Sequence, residues 1–320
     1  MLINISNSWA GARAQHNNFL INEIQAALAS PSKDPVMVKT KKFLRWIEPH
    51  LISTKPQNLI HAINKFNKIR MQMTNAEFTT FKTQLKAVFK YDNFIKRKKI
   101  KWDAYKLCEA FPFKVCPYCH YTHIFTVIEE KGIRPTIDHY YLKDEYPFLA
   151  LALNNLIPSC ATCNSNLKGV INFCKTPHLN PLIDPESINF HCTKPGSTIL
   201  DIVSNFENLK HELTIELRLA TCQKTKNSAT TFKLNARYQN LVHYGINFIG
   251  AKTSIENSSG LSSFFSVGPQ LPGKAVNFDA PPEEIQKRQL QFDREEYKNI
   301  IHGKMLADLY DQFDRKSIFF

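Results

Sequence analysis

Cys116-Pro-Tyr-Cys119, Ile137-Asp-His-Tyr140 and Asn155-Leu-Ile-Pro-Ser-Cys160-Ala-Thr-Cys163-Asn164, in that order, are the residues on which the reading of this chain turns. Two C-x-x-C pairs bracket an Asp138-His139 dipeptide, and the second pair runs directly into Asn164. Each pair makes a tight knuckle offering two sulfurs, so Cys116, Cys119, Cys160 and Cys163 suit one tetrahedral zinc ion tying distant segments together. His120 and His123 lie beside the first knuckle and have ligand chemistry, but four sulfurs already suffice, so they are not expected to bind. The Asp138, His139, Asn155 and Asn164 set is a separate matter, with the donor types that hold and use a hard divalent cation.

Around these motifs the sequence reads as α+β. Ile124-Phe-Thr-Val-Ile and Pro135-Thr-Ile-Asp-His are expected as paired strands joined by a turn at Glu129-Glu-Lys-Gly, and Asn164 to Gly169 as a helix start with a glycine stop. Residues 176–196 are punctuated by proline and are expected as an ordered loop. Further on, Glu212 to Ala220 alternates like a strand, Ala236 to Phe248 looks helical, and 253–282 is rich in Ser, Gly and Pro, as a linker would be. Glu283 to Phe313 has the pattern of a charged amphipathic helix. The expected divisions are 1–110, 111–190, 191–252, 253–282 and 283–320.

Upstream, residues 1–110 read as mostly helical. Apolar side chains recur at three- and four-residue spacing over Asn18–Leu28 and Thr79–Lys90. In the second stretch Phe81, Leu85, Val88 and Phe89 would face a core, leaving Lys82, Lys86 and Lys90 aligned on another face. The run Lys96-Arg97-Lys98-Lys99 extends that stripe. Of the formal net charge of +13, nearly all comes from residues 1–110, where 19 Lys or Arg stand against 7 Asp or Glu. Such asymmetry points to an anionic partner, most often nucleic acid, although a solvated basic surface has the same composition. A hydrophobic content of 43% with 12% aromatics allows a packed core and excludes wholesale disorder. No apolar run approaches the ~18 residues of a membrane span, and the first residues lack the pattern of a signal peptide. Eight cysteines, half of them in C-x-x-C pairs, fit a reducing compartment, so a cytoplasmic protein is expected.

Hydrolysing a phosphodiester requires an activated water, stabilisation of charge on the phosphoryl oxygens and help for the leaving oxygen. A neutral imidazole can take the proton, and a cation such as Mg²⁺, held by a carboxylate and an amide oxygen, can meet the other needs.

The ordered combination resembles the HNH endonucleases, or ββα-metal (His-Me finger) nucleases, in Cys116-x-x-Cys119, Ile137-Asp-His-Tyr140, Asn155-Leu-Ile-Pro-Ser-Cys160, Cys163-Asn164 and Lys168-Gly169. The resemblance covers about a fifth of the chain. It implies a fold that is α+β and predominantly helical, with a zinc-stapled ββα-metal core, a helical N-terminal region and a mixed C-terminal extension. It makes His139 the general base, Asp138 and Asn164 ligands of a catalytic Mg²⁺ or Mn²⁺, Asn155 the brace of the loop presenting the imidazole, and the four cysteines holders of structural Zn²⁺. Lys168 would face phosphate or stand exposed on its helix. The family often has glycines between His and Asn; here Tyr140 to Asn154 has none. The wording Asp-His-Tyr-Tyr-x-Lys with Tyr-Pro-x-Leu-Ala-Leu is similar to HNH nucleases of Septu and retron-associated anti-phage systems. That likeness implies a P-loop ATPase partner; no Walker-type glycine loop occurs here, so any nucleotide hydrolysis would belong to that partner. The activity implied is cleavage of DNA, with RNA (for example tRNA) as the alternative target and a zinc-stapled, non-catalytic nucleic-acid-binding module as the other.

Overall fold

In the computed structural model, which describes residues 2–96, 102–129, 132–258 and 282–314, the first hundred residues form successive helices. These are α1 (Arg13–Ala29), α2 (Pro35–Leu51), α3 (Asn58–Met71), α4 (Asn75–Val88), α5 (Tyr91–Ile95) and α6 (Ala104–Glu109). Their starts are written in the sequence. Asp34 caps α2, accepting from the Val36 and Met37 amides with Pro35 in the first turn, and Thr74 with Glu77 forms a capping box on α4. Asp103 caps α6 in the same way.

The fold is α+β and mostly helical, and it divides into two compact units, Met1–Glu186 with Cys222–Phe232, and Ser187–Thr221 with Lys233–Phe320. In the first, Phe43, Phe66 and Phe81 from α2, α3 and α4 close around Phe148, with ring centroids 5.1–5.4 Å from their neighbours. Phe148 belongs to the interval between His139 and Asn155. That interval has no glycine because its shape is set by docking: Pro147–Leu149 form one tight turn, and Phe148, Leu149, Leu151 and Leu153 are fully buried. Strand β1 (Thr136–His139) pairs antiparallel with β2 (Leu156–Ser159), in register Thr136 to Ser159 and His139 to Leu156.

This pairing corrects the expected one between 124–128 and 135–139. The Ile124 stretch exposes Phe125 and Val127 on one side, whereas all four residues of β2 are buried. Pairing β1 with β2 therefore removes more apolar surface from water. The Val127 amide donates to the Ile133 carbonyl, short of the 135–139 stretch that was expected to pair with it.

In the second unit β3 (Ile188–Thr193) pairs antiparallel with β4 (Thr214–Leu219). The expected loop over 176–196 thus contains a strand. The terminal helix Gly303–Gln312 covers β3 and feeds its backbone: Asp308 accepts from the Phe190 amide, and Gln312 exchanges bonds with both polar groups of Cys192. Gly245 lets the helix Val242–Ser258 approach β4, since a Cβ there would lie 2.2 Å from Ile215 Cδ1. That helix carries the chain through Ser258, so the linker expected from 253 begins as helix; the rest of it, to 281, lies outside the described residues. The single helix expected from Glu283 to Phe313 is instead two, Pro282–Leu290 and Gly303–Gln312. The break has a local cause. Gln291 adopts φ 52°, Phe292 turns into the core, and Asp293 bonds the Glu295 amide in a turn that competes with helix.

Candidate metal centre and catalytic cleft

The first knuckle is closed by the His120 amide donating to the Cys116 carbonyl, with His120 itself at φ 51°. The second opens a π-helical segment, Thr162–Lys168, in which the Cys163 amide donates to Cys160 Sγ at 3.4 Å. That segment stops at Gly169, whose φ of 47° favours a residue without Cβ. Together the knuckles bring the sulfurs of Cys116, Cys119, Cys160 and Cys163 within 4.8 Å of one another, all buried. Sulfurs bound tetrahedrally at ~2.3 Å from zinc stand roughly 3.8 Å apart; Cys119 and Cys160 are 4.0 Å apart. The cluster could therefore hold a metal such as zinc. Burial pushes the Cys116 thiol well above its ordinary value, so a full set of thiolates here calls for a cation among them.

Asp138 and His139 end β1. The register places His139 opposite Leu156, immediately after Asn155, and the asparagine closes the loop between them. Asn155 Oδ1 accepts from the Tyr141 amide at 2.7 Å, and its Nδ2 donates to the carbonyls of Tyr141 and Leu149 at 3.0 and 3.1 Å. Asn154 faces elsewhere, donating to the Ser53 carbonyl and accepting from Arg13.

His139 is buried, with Nε2 2.9 Å from the Ala150 carbonyl. A carbonyl only accepts, so Nε2 carries the hydrogen and Nδ1 keeps its lone pair. Burial lowers the pKa of the imidazole to about 4, which keeps it neutral near pH 7. The ring of Tyr91, from α5, stands edge-on to it at 4.5 Å, so the helical region also walls the site.

Asp138 Oδ1 receives the Lys168 ammonium at 2.5 Å, and Oδ2 receives the Tyr118 hydroxyl. Lys168 also donates to the His139 carbonyl and is only 1% exposed. Of the two expectations for Lys168, facing phosphate or standing exposed on its helix, the second fails: the buried carboxylate draws it inward, because a lone charge there would be costly.

Asp138, His139 and Asn164 line one cavity of about 550 Å³, together with Arg134 and Lys143. Asn155 lies behind it as a brace. The pairing of a carboxylate with an amide oxygen suits a hard cation such as Mg²⁺ or Mn²⁺, and the Lys168 ammonium is already a stand-in positive charge on that carboxylate. A smaller cavity of about 300 Å³ shares Tyr91, Lys143 and Asp144 with it and continues to Lys86 and Lys90. Lys82 is half-buried on α4 and lines neither cavity, and Lys96 is exposed at the end of α5. Arg97, Lys98 and Lys99 lie outside the described residues. His178 is packed on Phe173 at 3.9 Å and bonded to Thr231, away from the cavity. The sequence reading passed over Tyr91, Arg134 and Lys143 because none belongs to a spaced motif.

Fold and site thus define an α+β, mostly helical protein with a buried four-cysteine cluster that could bind metal. No protein-family model matches the chain, and no solved structure matches it. It is similar to the Septu protein PtuB of Bacillus thuringiensis, 31% identical over 96 residues that take in 28% of this chain and 35% of that protein. The chain therefore matches about a third of the length of this curated relative. No helix among the described residues is long and apolar enough to cross a membrane.

Proposed function

We propose that this chain is a metal-dependent endonuclease of the HNH kind, cutting DNA as the effector of a bacterial anti-phage system and working in the cytoplasm under the control of an ATPase partner. One observation carries the catalytic part. A buried, neutral His139, its Nε2–H committed to Ala150, opens onto the same cavity as Asp138 and Asn164. The similarity to PtuB supports the defence setting, and the excess positive charge of residues 1–110 supports nucleic acid as substrate.

The zinc cluster would act as a staple, holding the π-helical segment, and with it Asn164, against β1. A divalent ion, Mg²⁺ or Mn²⁺, held by Asp138 and Asn164 would stabilise charge on the phosphoryl and leaving oxygens. Nδ1 of His139 takes a proton from water as the water oxygen bonds phosphorus. The P–O3′ bond breaks and the leaving oxygen takes up a proton from solvent, so the products carry a 5′-phosphate and a 3′-hydroxyl. Asn155 keeps the loop in place, and Ala150 keeps the tautomer.

The test is incubation of the purified chain, alone and with any P-loop ATPase found encoded beside it, with end-labelled DNA and RNA in Mg²⁺ or Mn²⁺. Cutting of DNA is expected, and His139→Ala should lower it by about 10²–10⁴-fold while zinc content and fold persist. Cleavage of RNA alone would move the substrate; undiminished cutting by His139→Ala would remove the imidazole from the mechanism. Nucleic-acid binding without cleavage under every condition would leave a zinc-stapled binding module.

A further inference from the structure

Among the described residues, each charged side chain lining the 550 Å³ cavity has an oppositely charged partner, Arg134 excepted. Asp138 has Lys168 at 2.5 Å, Asp144 has Lys143 and Lys86 at 3.7 and 3.6 Å, and Glu145 has Lys175 at 3.4 Å. Arg134 lines the same cavity with no carboxylate partner among the described residues. Its guanidinium donates once, from Nη1 to the carbonyl of the next residue, Pro135, at 2.8 Å. The Nε atom is buried and has no hydrogen-bond partner among the described residues. The plane is held 5.3 Å from the Tyr105 ring, and the Tyr105 hydroxyl is tied to the Gly132 carbonyl.

A buried N–H donor without an acceptor is rare in a folded protein, and a guanidinium fixed on an aromatic ring loses little further freedom on binding. The buried Nε is out of a ligand's reach, so the side chain is a cation oriented in advance that would meet a ligand in the cavity beside His139 through its Nη groups. A tetrahedral anion with two free oxygens in one plane meets those groups better than a neutral ligand does.

From this we infer that Arg134 is the phosphate-binding residue of the cleft, donating to the non-bridging oxygens of the phosphodiester under attack. This rests on the nuclease reading above and adds the group that holds the substrate's charge across from Asp138 and Asn164. Bidentate donation would place phosphorus in line for the water at His139 and would strengthen as charge builds on the oxygens.

The experiment uses the full chain and separates binding from cutting. Binding is measured with a fluorescein-labelled 12-nucleotide DNA strand, in the His139→Ala background so that no turnover intervenes. Adding Arg134→Met should weaken it by about tenfold, the value of one charge-assisted hydrogen bond. In the chain with His139 intact, Arg134→Met should lower kcat/KM by about 10²–10³-fold. Arg134→Lys, which keeps the charge and loses the fork, should recover only part of both. Mn²⁺ affinity, zinc content and melting temperature should match the parent. Binding and cutting unchanged by Arg134→Met would overturn the assignment. So would parallel losses of melting temperature and Mn²⁺ affinity in both variants, which would make Arg134 a strut. If the parent binds the strand through Arg134 yet cuts nothing, the phosphate site stands and the nuclease reading falls. If it cuts, and Arg134→Met cuts as well, the nuclease reading stands and this one falls.

Discussion

Protonating His16 would set two N–H groups nose to nose. Its Nδ1 accepts from Trp102 Nε1 at 3.1 Å while Nε2 meets the Leu151 carbonyl at 2.8 Å, so the ring must be neutral, and burial lowers its pKa to about 4. An unfolded histidine titrates near 6.5, so the unfolded chain binds the extra proton first as pH falls. Stability is held in full above about pH 6.5 and is lost as pH drops from there towards 4, by about 2–3 kcal/mol between pH 7 and 4.5 from this residue. Urea denaturation at the two pH values measures it, and His16→Gln should remove that share of the pH dependence. Lys168 gives a second expectation. Removing it strands the Asp138 carboxylate, so Lys168→Ala should cost about 3–5 kcal/mol in metal-free buffer. Part of that loss should return on adding Mn²⁺, as read by the same denaturation. If Mn²⁺ restores nothing, Asp138 is not a ligand. The Asp138, His139 and Asn155 positions were legible in the sequence because spacing exposes them. The inward turn of Lys168 was not, since it depends on its ion pair with Asp138, 30 residues away.

Among the elements, the staple is the one most exposed to test. Buried sulfurs crowded within 4.8 Å gain little without a cation. Chelation is expected to lower the melting temperature and loosen the π-helical segment, and Cys163→Ser to do the same irreversibly; scanning calorimetry with zinc analysis checks both. A variant that melts like its parent with no zinc bound would refute the staple. The two pairs were plain from sequence, as were α1 and α4, where apolar residues recur at helical spacing and a capping box starts the second. The partner of β1 was not. A run of four residues buried on both faces, Leu156–Ser159, carries no alternation, whereas Ile124–Ile128 alternates and invites the wrong pairing. The terminal helices were merged for a like reason: a turn driven by one aspartate and one buried phenylalanine, Asp293 and Phe292, leaves the polar–apolar rhythm nearly intact.

At the scale of the whole molecule, the lopsided charge of residues 1–110 sets how the chain should respond to salt. If Lys86 and Lys90 lie along a nucleic-acid backbone, Lys86→Glu with Lys90→Glu should weaken DNA binding. It should also flatten the plot of log affinity against log salt by about 0.7 for each phosphate of a single strand that is no longer neutralised. An unchanged slope, by fluorescence anisotropy from 50 to 300 mM KCl (roughly the useful range), would leave those lysines as a solvated face. Composition revealed the excess charge; only the fold reveals that Lys86 and Lys90 border a cavity that shares Tyr91, Lys143 and Asp144 with the His139 cleft. The aromatic socket around Phe148 has a mechanical corollary. Ala150, which fixes the imidazole, sits two residues along from a ring wedged among three helices. Any body that pries α2 from α3 would tug that carbonyl, so that, were His139 the proposed base, the cleft would carry a throttle far from its blade.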